Sequence, residues 1–197
     1  MINRIDVTCD LYSNLVTRPT GAAVRIVIEH QLDEIGDHAL AVLDFSHVRI
    51  LDFSCADEIV AKLLQQYVSQ DFPKREVYFV FYGMSESHIY AIEAVLERHG
   101  LALVTQLADE NPCLMGTVDG EERQIWETMC ELGTGGAAEI ATASGLDMDR
   151  VEHGLDHLWR RRLVIRQDDR YMSLRGVQPA FPNHSISSTE TRPRTPT

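Results

Sequence analysis

Two histidines four residues apart, His153 and His157, have the types and spacing of metal ligands. On a helix this spacing places both imidazole rings on one face, where they could ligate zinc. No third ligand accompanies them, and the glutamate of an H-E-x-x-H motif is absent. The sequence therefore favours solvated helix residues here and predicts neither a metal nor a cofactor.

Two other stretches have residue types that could do chemistry. The run Gly133-Thr134-Gly135-Gly136 precedes a helix, and helix N-termini bind phosphate, but no Walker lysine follows it. Ser85, Ser87 and His88 offer a nucleophile and a base, yet they fit a helix cap better. Because neither G-x-S-x-G nor paired catalytic carboxylates occur, we expect a non-enzymatic protein. The alternative, a small-molecule or nucleotide-dependent enzyme, has no residues that indicate a substrate.

The cysteines Cys9, Cys55, Cys113 and Cys130 form no C-x-x-C motif and lie at no zinc-ligand spacing from histidine. This usage is typical of reduced, mostly buried thiols in a cytoplasmic protein. The N-terminus lacks the apolar region of a signal peptide, and no apolar run approaches the ~18 residues of a membrane span. We therefore expect a cytoplasmic location and no membrane contact.

The elements that must position these residues begin with an alternation of strands and helices over residues 1–118. The pattern predicts strands at 39–45, 76–82, 102–106 and 113–118 and helices at 21–35, 54–68 and 86–98. Continuous apolar strands are typical of a sheet covered on both faces. The segment is thus predicted as an α/β domain with a mixed sheet.

Helical periodicity also predicts which side chains face the core of this domain. In the first helix these are Ala22, Ile26 and Leu32 or Ile35, and in the second they are Ile59, Leu63, Leu64 and Tyr67. Ser54 is expected to cap the second helix. In the third helix they are Ile89, Ile92 and Leu96, with a stop at Gly100.

Residues 119–175 are predicted as a separate small α+β domain. Helices at 119–132, 137–143 and 148–162, the last capped by Asp147, are followed by strands at 163–167 and 171–174, and the glycine-rich run connects the first two helices. Residues 176–197 are rich in Pro, Ser and Thr, so they are predicted as a disordered tail. The expected organisation is therefore two domains and a tail.

The second domain resembles a winged helix-turn-helix domain of bacterial transcription regulators. The resemblance is carried by Ala138 to Asp147, by Val151, Leu155 and Leu158, and by the hairpin Leu163 to Tyr171. It implies that the helix at 148–162 enters a DNA major groove. The DNA contacts implied by it are Arg150, His153, His157, Arg160, Arg166 and Arg170.

The charge of the chain opposes that role. The net charge is −12, and residues 119–175 carry 8 basic against 12 acidic side chains. Asp149, Glu152 and Asp156 are among the predicted outward positions of the reading helix, and acidic groups repel phosphates. Two roles therefore stay open for this domain: DNA binding, and dimerisation or contact with another protein.

The stretch Val42 to Val60 resembles a STAS-type domain, the fold of anti-sigma-factor antagonists. It is closer still to an uncharacterised STAS-like subgroup, because Ser54-Cys55-Ala56-Asp57-Glu58 stands at the helix start. The resemblance covers residues 20–118 and implies an anti-sigma-like protein or a kinase as partner. In such antagonists a Ser or Thr directly after the Asp is phosphorylated, but here Phe53 follows Asp52.

Ser54 therefore has two interpretations, a helix cap and a shifted phospho-switch, of which the cap is favoured. Asp52, Asp57 and Glu58 are predicted to form a partner-binding edge. Together these features predict a non-enzymatic cytoplasmic regulator, a homodimer, in which a STAS-like domain is coupled to a DNA-binding winged helix for transcription regulation. The alternative is a protein-interaction adaptor in a partner-switching pathway, with the winged helix used for assembly.

Overall fold

Strands and helices alternate along the first part of the chain, and the computed structural model describes residues 5–35, 38–68, 75–106 and 111–174. The part up to Gly116 is called the α/β unit. Its strands are β1 (Ile5–Asp10), β2 (Asn14–Leu15), β3 (His38–Asp44), β4 (Ile50–Leu51), β5 (Glu76–Tyr82), β6 (Ala102–Gln106) and β7 (Cys113–Gly116). Its helices are α1 (Arg18–Ile35), α2 (Phe53–Ala56), α3 (Lys62–Val68) and α4 (Glu86–His99). A π-helical turn, Asp57–Ala61, joins α2 to α3.

A five-stranded mixed sheet organises the α/β unit. Its strand order is β1-β3-β5-β6-β7; the first four strands are parallel, and β7 is antiparallel to β6. Because each crossover moves one strand further in the same direction, right-handed connections place all the intervening helices on one face. Ala41 and Leu43 of β3 pack towards those helices, whereas Leu40 and Val42 face the opposite side. The expected α/β class with a mixed sheet is confirmed.

Local patterns located most elements of this unit. Strands β1, β2 and β4 had not been expected, and the buried face of α1 differs from the predicted one. Gly21, Val24, Ile28 and Leu32 are the buried residues of α1, whereas Ile26 is 57% exposed. The buried face of α1 packs closely against α2 at Gly21, where an added Cβ would lie 3.0 Å from the backbone Cα of Cys55. Packing against α2 therefore overrides the apolar pattern.

The remaining described residues form what we call the C-terminal module. It consists of α5 (Gly120–Leu132), β8 (Thr134–Gly135), α6 (Ala137–Ser144), α7 (Met148–Arg160), β9 (Ile165–Gln167) and β10 (Arg170–Met172). The strands form a small antiparallel sheet in the order β8-β10-β9. The order of helices and hairpin agrees with the sequence pattern. Strand β8 does not: it lies in the glycine-rich run that had been interpreted as a connector.

A second core connects the C-terminal module with the sheet. It combines Leu40, Val42 and Tyr78 from the sheet face opposite α1–α4 with apolar residues of α5, α6 and α7. The guanidinium of Arg162 lies 5.6 Å from the centroid of the Tyr78 ring. Arg161 Nη2 donates to the Thr117 carbonyl at 2.6 Å, next to the predicted boundary at residue 118. The sheet is thus covered on both faces, as its continuous apolar strands indicated.

The predicted tail, residues 176–197, lies outside the described residues. Among the helices of the four described ranges, none is long and apolar enough to cross a membrane.

Candidate functional site

Segments that follow strands β1 and β3 come together at the start of helix α2. Strands β2 and β4 run side by side there, with Leu15 opposite Leu51. Backbone hydrogen bonds extend the pairing: Arg49 N donates to the Ser13 carbonyl at 2.7 Å, and Asp52 N donates to the Leu15 carbonyl at 2.9 Å. This region lies at the carboxyl ends of parallel strands, where α/β proteins commonly bind ligands.

Four large apolar side chains are exposed on these segments and at the first residue of α2. Tyr12 is 70% exposed and Ile50 53% exposed, and Val16 and Phe53 are exposed beside them. We call Tyr12, Val16, Ile50 and Phe53, with Asp52 and Ser54, the α2 surface. Clustered exposed apolar groups commonly mark interaction sites, whereas scattered ones do not. No sequence pattern indicated this cluster, because it depends on the pairing of β2 with β4.

Asp52 is the residue that caps helix α2. Its Oδ1 accepts hydrogen bonds from Cys55 N at 2.9 Å and from Ser54 Oγ at 2.8 Å. Burial works against ionisation of Asp52, but the hydrogen bonds from Cys55 and Ser54 outweigh it and hold the pKa of its carboxyl below the usual value. The expectation that Ser54 is the cap is therefore wrong: Ser54 lies inside the first turn, half-buried, and its hydroxyl is bound to the true cap.

Asp57 and Glu58 lie in the π-helical turn, and both are buried, at 7% and 3% exposure. Arg18 Nη1 lies 2.9 Å from Asp57 Oδ2 and 2.7 Å from Glu58 Oε1. His99 Nε2 lies 2.8 Å from Asp57 Oδ1, and Lys62 forms an ion pair with Glu58. These five residues are called the charge cluster. Their burial disagrees with the expectation that Asp57 and Glu58 form a partner-binding edge.

The charge cluster connects three helices. Burial tends to raise the pKa of Asp57, but hydrogen bonds from His99 and Arg18 hold it below its usual value. The pKa of Glu58 is lowered in the same way by Lys62 and Arg18, against the effect of burial. Since Arg18 begins α1 and His99 ends α4, the two carboxylates fix both helices against the π-helical turn. The cluster therefore supports the α2 surface and is not part of its exposed area.

The predicted DNA contacts of the C-terminal module are mostly engaged with neighbours. Four of them are paired with carboxylates: Arg150 with Glu121 at 2.7 Å, Arg160 with Asp156 at 2.7 Å, Arg170 with Glu139 at 3.2 Å, and His157 with Glu122. The guanidinium of Arg166 lies over the rings of Trp159 and Tyr171, at 5.3 and 5.8 Å. His153 lines a groove between α5 and α7. The positive charges implied as phosphate contacts are thus largely neutralised.

The outward face of α7 carries a small net negative charge. Val151, Gly154, Leu155 and Leu158 are its buried residues. The solvent side of the helix consists of the seven positions that the sequence predicted as outward, namely Asp149, Arg150, Glu152, His153, Asp156, His157 and Arg160. Three of these seven are carboxylates, and both arginines are paired with carboxylates. Such a face offers a phosphate backbone little free positive charge.

The other candidate chemistry has structural explanations. Ser85 and His88 form a capping box at the start of α4, in which Ser85 N donates to His88 Nδ1 at 3.1 Å. At the start of α6, Gly136 N donates to Glu139 Oε2 at 2.8 Å, so a carboxylate already lies where a phosphate would bind. Over the described ranges, His, Cys, Asp and Glu form no group of three or more that could hold a metal.

Comparison of the chain with protein-family models gave no match, and comparison with curated proteins gave none either. What the chain does must therefore be inferred from its surfaces. Two surfaces are relevant: the apolar α2 surface and the outward face of α7.

Proposed function

We propose that this protein is a non-enzymatic regulator that works as a protein-interaction adaptor. Its α/β unit, which we interpret as STAS-like, binds a partner protein through the α2 surface. Its C-terminal module, which we interpret as a winged helix, serves assembly and does not read DNA. The observation that carries the proposal is the cluster of exposed apolar side chains at Tyr12, Val16, Ile50 and Phe53.

The rigidity of this surface supports a binding role. Its two segments are held by the β2–β4 pairing and by the hydrogen bond from Asp52 N to the Leu15 carbonyl. Phe53 is held from one side by Arg98, whose guanidinium lies 5.8 Å from the ring centroid. Aromatic anchors that are already ordered lose little conformational entropy on binding. The resemblance to antagonists of anti-sigma factors suggests an anti-sigma-like protein or a kinase as partner.

A quantitative pull-down with crosslinking tests this proposal. The full chain and the variants Ile50→Asp and Phe53→Ala are used as baits, with Leu132→Asp as a matched control. Leu132 is also an exposed apolar residue, but it lies in α5. A specific partner should be recovered with the wild type and the control and should be lost with both α2-surface variants. Equal recovery with all four baits would show that this surface does not bind it.

The same variants then allow the affinity to be measured with the purified partner. Because exposed aromatic and branched anchors commonly dominate a binding site, each substitution should weaken binding by about tenfold or more. Far-ultraviolet circular dichroism confirms that the variants are folded. An affinity within about twofold of the wild type for both variants would contradict the proposal.

DNA binding by the C-terminal module is the second candidate function. The helix–helix–helix–hairpin order favours it, as do the exposed side chains of Arg166 and Arg170 near the hairpin. The outward face of α7, with little free positive charge, opposes it. Under the adaptor proposal, a mobility-shift experiment at low salt should retard no genomic fragment. A retarded complex that is weakened by Arg150→Ala or Arg170→Ala would establish the DNA-binding role instead.

We also place the protein in the cytoplasm. The four cysteines form no C-x-x-C motif, and Cys9, Cys55 and Cys130 are buried. This cysteine usage is typical of proteins in reducing compartments.

A further inference from the structure

We propose that the outer edge of β7 binds an extended peptide segment of a partner protein as an additional strand. The peptide carries an acidic side chain that faces α5 and, at the adjacent position, a basic or apolar side chain that faces α4. The site is called the β7 groove. This inference goes beyond the adaptor proposal, because it concerns a different surface and a ligand of stated chemistry.

The β7 groove runs along the last strand of the sheet. The sheet order ends with β7, so no strand of the described ranges covers its outer edge. All four residues of β7, Cys113–Gly116, line a cavity of about 330 Å³. Its walls are formed by Ile89 and Glu93 of α4 and by Arg123 of α5. An extended strand of this length spans about 13 Å, so the groove can hold a short peptide segment.

Alternate residues of β7 direct their backbone groups into the groove. Strand β7 is antiparallel to β6, and Thr117 N continues the ladder by donating to the Leu101 carbonyl at 2.9 Å. Alternate pairs of an antiparallel ladder are hydrogen-bonded. Met115 therefore bonds to β6, whereas the backbone groups of Leu114 and Gly116 point outward.

Most of these outward groups have no partner in the described part of the chain. Arg123 Nη1 donates to the Leu114 carbonyl at 3.2 Å, which agrees with the outward direction of that residue. Over the described ranges, no backbone acceptor pairs with Leu114 N or Gly116 N. Unpaired amides at a sheet edge are a template for another strand, to whose carbonyls they can donate.

The two walls of the groove lie on opposite faces of the sheet. Met115 packs in the core that contains α4, and Leu114 packs in the core that contains α5. The side chains of an added strand also point alternately to these two faces. One side chain of the peptide therefore meets Ile89 and Glu93, and the next one meets Arg123.

The charges on the walls determine which side chains fit. Neither Glu93 nor Arg123 forms an ion pair within the described ranges, and Arg123 uses one amino group for the Leu114 carbonyl. The other donors of its guanidinium can bind a carboxylate. A peptide with an acidic residue facing Arg123 and a basic or apolar neighbour facing Glu93 thus complements both walls.

A lone peptide fits this groove better than the β7 edge of a second copy. Antiparallel pairing of two β7 strands about a two-fold axis would extend the sheet and bring each wall to the side of its own counterpart. Glu93 would then lie on the same side as Glu93 of the second copy, and Arg123 would likewise face a like charge. A single extended chain brings no walls of its own and can supply the opposite charges.

Selection from a phage-displayed library of short random peptides, with the full chain as the target, tests the proposal. The enriched peptides should share an acidic residue next to a basic or apolar one. The most enriched peptide is then synthesised with a fluorescent label, and its affinity is measured by fluorescence anisotropy. A selection that enriches no common sequence would overturn the proposal.

Charge reversal in the groove tests where the selected peptide binds. Arg123→Glu should weaken binding by about tenfold or more, since charge-assisted hydrogen bonds are lost. A peptide with lysine in place of its acidic residue should regain affinity for this variant. Arg123→Gln, which keeps a donor for the Leu114 carbonyl, should also weaken binding and serves if Arg123→Glu does not fold. Unchanged affinity in the Arg123 variants would overturn the assignment.

A matched pair of substitutions tests the α4 wall. Glu93→Lys should weaken a peptide that carries a basic residue beside its acidic one. The control is Glu97→Lys, the same substitution at an exposed residue one turn further along α4 and outside the groove. This control should bind the peptide as the wild type does. Equal effects of both substitutions would contradict the placement of the peptide beside Glu93.

Residue-resolved hydrogen exchange by nuclear magnetic resonance tests the strand geometry. Peptide binding should slow exchange at the amides of Leu114 and Gly116 and should leave that of Met115 unchanged, because it is already bonded to β6. No added protection of the two outward amides would overturn the proposal. Protection without peptide that rises with protein concentration would identify a second copy as the occupant. Protection without peptide that is independent of concentration would identify another segment of this chain, and both results would also overturn it.

The variants of the α2 surface keep the two proposals distinguishable. Ile50→Asp and Phe53→Ala should leave the peptide affinity unchanged, because neither residue lines the β7 groove. Arg123→Glu should in turn leave recovery of the α2-surface partner unchanged. Loss of peptide binding in the two α2-surface variants would place the peptide at the α2 surface, and its assignment to β7 would be wrong.

Discussion

The α/β unit and the C-terminal module use their charged side chains in opposite ways. In the α/β unit, Asp57 and Glu58 are buried beneath Arg18 and Lys62, while several apolar groups stay exposed. In the C-terminal module most charged groups remain at the surface and neutralise one another in pairs. Glu122 is an exception, since it is buried and accepts from Arg161 at 3.2 Å.

This contrast bears directly on function. Exposed ion pairs contribute little to stability, but they occupy the cationic groups that a phosphate backbone would need. Buried ion pairs fix the position of the helices that carry them, because removing one partner leaves an uncompensated charge. The α/β unit therefore has ordered apolar groups exposed at the α2 surface, whereas the C-terminal module has an outward face with little free positive charge.

The largest expected loss of stability comes from a substitution in the second core, and it tests whether the α/β unit and the C-terminal module unfold together. Leu155→Ala removes a fully buried side chain of α7 and should lower the free energy of unfolding by about 2–5 kcal/mol. Because the second core includes sheet residues, urea unfolding should remain a single transition. Leu132→Ala, at an exposed position of α5, should change stability by about 0.5 kcal/mol or less. Two separate transitions would show that the regions are independent.

A smaller loss of stability is expected when one glycine of each region is replaced by alanine. A Cβ on Gly21 would press on the backbone Cα of Cys55 at 3.0 Å, whereas one on Gly154 would meet the terminal Cδ1 of Ile125. A side-chain methyl group can move more easily than a backbone. Gly21→Ala should therefore lower the free energy of unfolding by about 1–3 kcal/mol. Gly154→Ala should change stability by no more than about 1 kcal/mol, since alanine also favours the helix. Thermal unfolding measures both, and a reversed order would contradict this account.

Low pH should lower the stability of the α/β unit, because its buried carboxylates Asp57 and Glu58 become protonated. Asp57 and Glu58 have pKa values below the ordinary 3.8 and 4.5, so the folded state binds fewer protons than the unfolded state. Their stabilising contribution is therefore complete above about pH 5 and is lost as the pH falls through these values. Asp57→Asn should be less stable than the wild type at pH 7, and the difference should shrink towards pH 3. A difference that does not depend on pH would contradict the assignment.

The smallest effect concerns the surface of the C-terminal module. Arg150 and Glu121 form an ion pair with side chains 57% and 53% exposed. Arg150→Ala should therefore lower stability by only about 0.2–1 kcal/mol, and less in high salt. Urea unfolding at low and high salt measures this. A loss of several kcal/mol would show that the pair supports the module and would weaken the contrast with the charge cluster.

Much of the fold could be predicted because its signals are local. The apolar runs that become β5 and β6 were located to the residue, and the stop of α4 at Gly100 follows from its left-handed φ of 62°. The capping box at Ser85 is local too. By contrast, β1 was missed because it is an edge strand of the sheet, whose place becomes clear only when β3 is beside it.

The candidate site was predicted only in part. The sequence located the start of the helix near Asp52 and drew attention to Asp57 and Glu58, but it could not show that Arg18 and His99 bury them. These partners lie 39 and 42 residues away along the chain. Helix and strand periodicity cannot predict a contact between residues so far apart in the sequence.

The sequence by itself determined most of the segments that become helices and strands, and it determined that the helix at 148–162 would carry both acidic and basic side chains. Only the tertiary structure decided which of those charges are paired and which apolar groups remain exposed. The physical reason is that periodicity arises from hydrogen bonding and packing within a few residues. Burial of Asp57, exposure of Ile26 and the cluster around Ile50 arise from segments that meet only in the folded chain.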